Sequence, residues 1–255
     1  MSHTANILSS VIASTLRGWR GSSASRTIRQ PARLPELFDR EDDPECRLVR
    51  EALTELNLDV MIFPCPEAGD RFSQRLDEMS HGSGRVPFLY DPNTEEKMDG
   101  AQAIIAYLFR QYREKEMPSA LAPNALHLMQ ARLASAVRPK RLLAQPSKTP
   151  AQPLTLYSFE SSPYSRPVRE KLCELQLPYR LVNLGKQQVA DIGPAKQRLH
   201  LGPYRPVPGT KRAEMLARWG RVQVPFLIDP NESVEMFESK DILEYLDARY
   251  AFAGV

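Results

Sequence analysis

Apolar and polar positions along this chain fall into short blocks that alternate between two periods. Leu154 to Phe159 is a brief apolar run. From Arg166 the spacing turns helical, with Val168, Leu172 and Leu175 on one face. Pro167 falls in the first turn of that helix, where a missing N–H would have been unpaired anyway. A second strand is predicted over Tyr179 to Leu184, then a variable helical region. Val224 to Asn231 reads as a strand closing in a Pro-Asn turn. A short strand through Phe237 precedes a last helix whose inward face carries Ile242, Leu243, Tyr245 and Leu246. The order β-α-β-α-β-β-α, parallel in front and a hairpin behind, predicts a small mixed sheet with helices on its faces.

The same order occurs twice. The stretch from Leu37 aligns with the stretch from Leu156 at an offset of 119, and that from Val86 with that from Val224 at an offset of 138. About half the positions match in each block, a spacing far too long for a solenoid, so a duplicated domain is expected. The division predicted is a segment over 1–33, a first domain over 34–116, a helix (Asn124 to Val137) and Pro- and Lys-rich linker over 117–153, and a second domain over 154–255. The second copy carries 19 extra residues, the difference between the two offsets, in a basic insertion before Val224.

Charge and cysteine content narrow the class. The net charge is only +3 with a quarter of residues charged, so nothing calls for nucleic acid. Cys46, Cys65 and Cys173 are too few and odd in number for a disulfide scaffold; a reducing, cytoplasmic setting is expected. Four scattered histidines and no C-x-x-C leave no metal site. No segment reaches the length of a membrane span. Met1 to Leu34 lacks acidic residues and places Ile7, Leu8, Val11, Ile12, Leu16 and Trp19 at helical spacing. The stripe predicts an N-terminal helix that docks through it, followed by a loose SSASRT linker. A membrane-surface helix or transit peptide is the alternative.

Three motifs then stand in order: strand–Ser162-Pro-Tyr-Ser165–helix, Val224-Pro-Phe-Leu, and Glu238-Ser239 opening the last helix. Together they resemble the thioredoxin-fold, N-terminal domain of glutathione transferases and glutaredoxins, over residues 35–115 and 154–250. The fold implied is α/β, two tandem thioredoxin-like domains, without the all-helical C-terminal domain of a complete transferase. The ligand implied is glutathione. Pro225 falls where the family has a cis proline, which leaves the Val224 backbone to pair with the tripeptide's cysteine. Glu238 and Ser239 fall where the family holds the γ-glutamyl end, Ser239 at a helix N-terminus suited to a carboxylate. The same pair also reads as an ordinary helix cap.

Ser162 occupies the nucleophilic cysteine position of glutaredoxin-like members. A serine cannot exchange disulfides. Its hydroxyl can donate to the sulfur of a bound glutathione, the device of serine-type transferases, so Ser162 is the catalytic candidate, with Tyr164 and Ser165 beside it. A simple capping turn is the competing reading. In the first copy Asp43-Pro44-Glu45-Cys46 stands at this turn and Gly100-Ala101 replaces Glu238-Ser239, so the first domain is expected to be a structural partner, with Cys46 a buried inert thiol. Arg205, Lys211, Arg212 and Arg221 of the insertion read either as a clamp for the glycyl carboxylate or as a solvated face. The expected function is a glutathione-dependent transferase or reductase working from the second domain. The alternative is a non-catalytic module binding glutathione or a protein partner.

Overall fold

The computed structural model describes residues 2–25, 30–138, 142–195 and 202–252. In chain order the elements are α1 (His3–Leu16), β1 (Glu36–Asp39), α2 (Pro44–Leu56), β2 (Val60–Pro64), α3 (Ser73–Met79), β3 (Phe88–Asp91), β4 (Glu96–Asp99), α4 (Ala101–Arg113), α5 (Ala125–Ala136), β5 (Leu154–Ser158), α6 (Arg166–Glu174), β6 (Tyr179–Asn183), α7 (Lys211–Trp219), β7 (Phe226–Asp229), β8 (Val234–Phe237) and α8 (Ser239–Tyr250). Each half is the predicted β-α-β-α-β-β-α unit.

The two halves share one sheet of order β4-β3-β1-β2-β6-β5-β7-β8. The join is an antiparallel pairing of β2 with β6, in the register Val60↔Leu181, Met61↔Arg180 and Ile62↔Tyr179. At the repeat offset of 119, Met61 and Arg180 are counterparts, so the halves are related by a two-fold through that pair. Each half thus covers the other's open edge, the place where an unpaired strand would otherwise invite aggregation.

On one face of the sheet α2, α4, α6 and α8 enclose a single core that runs through both halves, including Leu53, Ile104, Leu172 and Ile242. On the other face the core is split, with Phe38, Phe63 and Phe88 near α3, and Met215 and Phe226 near α7. The Asp-Pro-Asn turns are structural in both halves. Asp91 accepts from Asn93, Tyr107 and Tyr112; Asp229 accepts from Asn231, Tyr245 (2.7 Å) and Tyr250 (2.5 Å). Tyr250→Phe removes one donor from a buried carboxylate and is expected to cost about 1–3 kcal/mol. A urea midpoint equal to the parent's would reject that role.

At the two-fold, α2 and α6 meet through charge. The spacing Arg47-x-x-Arg50 recurs as Arg166-x-x-Arg169, and Glu41 recurs as Glu160. All six are at most 5 % exposed. The partners cross over: Arg50 pairs with Glu160 at 2.9 Å and Arg169 with Glu41 at 2.8 Å. Arg50 also grips Asp39 at 2.6 Å, and Arg17 of the N-terminal segment grips Glu51 at 2.6 Å.

The N-terminal helix docks, but not as the apolar stripe predicts. Its buried positions are Ser10, Ala13 and Ser14. Leu8 (61 % exposed), Ile12 (45 %), Leu16 (37 %) and Trp19 (39 %) face outward. The physical reason is local: the groove over α6 offers polar partners, with Ser14 donating to the Ser161 carbonyl at 2.9 Å and Arg17 reaching a buried carboxylate. Nor is the following segment loose over its described part. Ala24 donates to the Lys186 carbonyl (2.8 Å) and Ser25 to the Glu55 carbonyl (2.8 Å). The strap lies so close that a Cβ added to Gly185 would stand 2.6 Å from the Ala24 Cβ. Residues 26 and 27 of the expected linker lie outside the described residues.

Candidate functional site

A cleft of about 420 Å³ opens in the second half, where the β5–α6 turn, the segment before β7 and the start of α8 converge. It is lined by Ser162, Tyr164, Val224, Pro225, Glu238 and Ser239, the residues singled out from three separated motifs. Ser165 lies behind them, fully buried.

Ser162 sits at the turn into α6. Its Oγ accepts from the Ser165 N–H (3.3 Å) and from the Ser165 hydroxyl (2.9 Å). The backbone bond is the capping contact expected of a serine there. With Ser165 as donor, the Ser162 proton is left to point elsewhere, and the cleft is the space it lines. The capping and thiol-donor readings of Ser162 are therefore compatible in geometry.

Val224 and Pro225 are joined by a cis peptide bond, as are Val86 and Pro87 in the first half. β7 begins only at Phe226, so Val224 stands outside the strand ladder. Glu238 holds φ +69°, a strained value for a non-glycine residue; Gly100, its counterpart, holds φ +78°. The second half keeps the backbone shape but places a carboxylate where glycine would be easier. Glu238 Oε1 accepts from Gln223 at 2.8 Å. Among the described residues no side chain caps the α8 N-terminus. Ser239 Oγ lies 3.4 Å from His3 Nε2, so α1 reaches the edge of the site.

The insertion contributes less than its charge suggests. Arg212 lines the cleft, braced by the carbonyls of Gly185 (3.0 Å) and Leu184 (3.2 Å) and by Asp191 at 3.6 Å. Burial favours the neutral form of Asp191, but Arg212, the Tyr204 hydroxyl, the Gln187 N–H and the Gln188 side chain together hold its carboxyl below the ordinary range. Lys211 instead pairs across the halves with Asp59 at 2.6 Å, and Arg221 lies over the Phe237 ring. Arg205 does not line the cleft. Sequence reasoning missed Trp19, Phe159, Lys186 and Gln223, all lining residues. Gln223, adjoining Val224, had a local signal. Trp19 had none, since its approach depends on where α1 docks.

The first half shows the same scaffold with both anion-receptive positions filled from within. Asp43 Oδ1 accepts from the Glu45 and Cys46 N–H groups (2.9 Å each) at the start of α2. Glu45 Oε2 accepts from the Ala101 N–H (3.1 Å) at the start of α4. Glu45 is the repeat counterpart of Tyr164, so a carboxylate of the chain itself lies at the helix end that no described side chain caps in the second half. Cys46 is buried, and burial followed by the nearby Asp39 and Asp43 carboxylates pushes its thiol up.

Among the described residues no cluster of His, Cys, Asp or Glu could hold a metal ion, and no helix is long and apolar enough to cross a membrane. A family model described as glutathione S-transferase, N-terminal domain, matches residues 37–116 and again 156–253. No curated protein and no solved structure matches the chain.

Proposed function

We propose, because this chain belongs to the glutathione S-transferase N-terminal domain family and carries that domain twice, that its second half binds glutathione and polarises the ligand's thiol. The carrying observation is the convergence of Ser162, Val224, Glu238 and Ser239 on one cleft beside a helix N-terminus that no described side chain caps. An extended tripeptide would pair its cysteine with the Val224 backbone. Its γ-glutamyl carboxylate would meet Ser239 and the first amides of α8, and its ammonium Glu238. Lys186 and the Asp191-paired Arg212 line the cleft, where the glycyl carboxylate would lie. The Ser162 hydroxyl, with the α6 N-terminus, would favour the thiolate at the centre.

Glu238→Ala and Ser239→Ala are each expected to weaken glutathione binding about ten-fold or more, since each removes a bond to a charged ligand group. Calorimetry reads this directly. Ser162→Ala should leave binding nearly intact while raising the bound thiol's pKa, followed by thiolate absorbance. No heat at millimolar glutathione, or binding untouched by both α8 variants, would reject the reading. Ser162 is only 2 % exposed, which favours a second reading in which the tripeptide binds without turnover. Conjugation of a model electrophile by the parent, lost in Ser162→Ala, would decide for the transferase.

A further inference from the structure

Helices α1 and α5 lie antiparallel as an outer layer over α2 and α6. Arg17, at the end of α1, donates to the His127 carbonyl (3.2 Å) and Gln130 (2.9 Å) near the start of α5, while Arg138, past the end of α5, donates to the Asn6 carbonyl (2.8 Å) near the start of α1. Both helices are inside out. The buried positions of α5 are Ala131 and Ala134, as those of α1 are small or polar. Its large apolar residues point outward: Leu126 is 55 % exposed, Met129 51 % and Leu133 49 %. They recur at helical spacing, as does the outward stripe of α1, so two neighbouring helices present one apolar face with no described residue covering it. A scattered exposed leucine calls for no account, but a contiguous two-helix patch marks an interaction surface.

Charge identifies the occupant. Residues 1–34 and 117–159, which contain the two helices, hold ten of the chain's 34 Arg and Lys and none of its 31 Asp and Glu. The two sections therefore sum to +10 and the rest of the chain to −7. Arg20 and Arg132 are exposed beside the apolar stripes. Self-association through a two-fold would set exposed positive charge against itself, with no acid on either helix to answer it. A broad apolar face of Leu, Ile, Met and Trp with exposed arginines beside it has the make-up of a helix pair lying in a bilayer interface.

We propose that the α1–α5 face is a peripheral docking surface for an anionic lipid bilayer. The apolar residues enter the headgroup boundary and the arginines meet lipid phosphates. Trp19 belongs both to this face and to the wall of the cleft, so the docked protein would hold the cleft mouth near the bilayer surface. The assignment stands apart from the glutathione reading, because neither the face nor its charge depends on what fills the cleft.

Sedimentation of the full chain with phosphatidylcholine vesicles, with and without phosphatidylserine, tests it. Binding is expected only with the anionic lipid and should weaken at high salt. Arg20→Gln and Arg132→Gln should each lower partitioning about five-fold. Leu8→Gln and Leu126→Gln should each lower it about ten-fold. These side chains are exposed, so thermal unfolding of the variants should match the parent. Trp19 emission should shift to the blue on binding, and Trp19→Phe should abolish the shift. Failure to sediment with either vesicle overturns the proposal, as does equal binding to both. A solution dimer that Leu8→Gln and Leu126→Gln convert to monomer overturns it in favour of a contact between copies.

Discussion

Glu160→Ala is expected to destabilise the protein by about 3–5 kcal/mol, because it strands buried arginines that this carboxylate neutralises. Arg50 and Arg169 lie 2.9 and 3.0 Å from Glu160, Arg166 at 3.4 Å and Arg47 at 3.8 Å. The loss is a large share of the stability of an ordinary domain. Arg166 is already stressed: burial, then the facing Arg47, lowers its hold on its proton. A urea midpoint for the alanine variant equal to the parent's would refute the role.

The pH dependence has a definite sign. Burial favours a neutral Glu160, but Arg169, Arg50, Arg166 and Arg47 together hold its carboxyl well below the usual carboxylate range. The folded state therefore binds the proton less readily than the unfolded chain does. Glu160 contributes its stability fully above the ordinary glutamate range and loses it as pH falls below that range. Glu160→Gln should flatten this acid limb of the stability profile and lower the plateau.

Ser162→Cys should turn a chain inert toward glutathione disulfide into one that forms a mixed disulfide readily. The new thiolate would attack one sulfur of the disulfide, and the other would leave as glutathione thiolate, so no further oxidant is needed. A thiol at the α6 N-terminus is expected to ionise more easily than a free one. The native thiols give a quiet background. Burial raises Cys46 and Cys173, and burial with the Asp39 charge pushes Cys65 up to about 12. Intact-mass measurement should show one adduct on the variant and none on the parent over the same interval. Equal rates for the two would mean that Ser162 does not face the ligand's sulfur. Adding Glu238→Ala should slow adduct formation if the disulfide is held in the cleft first.

Much of this architecture is legible in the sequence alone. The period-2 and period-3.6 blocks placed the strands and helices, because side-chain direction along a strand or helix is a local property. The repeat offset located both copies of the turn before the first long helix of each unit, and the motif order assembled six cleft residues. The buried Arg47-x-x-Arg50 and Arg166-x-x-Arg169 pairs were visible as identical positions in the repeat. Their meaning was not, since four arginines on two helices read as solvated until the helices are known to face each other. Glu45 likewise looks like any surface acid until α4 brings the Ala101 N–H to it.

The division follows from the range of the forces involved. Hydrophobic period, turn chemistry and helix-start residues act over a few neighbours, so the chain alone settled the two thioredoxin-like units and the residues at their turns. The Met61–Arg180 two-fold, the shared carboxylates and the outward apolar faces of α1 and α5 belong to the tertiary structure. Each depends on which surface a whole element meets, and at α1 a buried arginine and small side chains outcompete the apolar stripe for that surface. Local composition cannot express such a choice between partners distant in sequence.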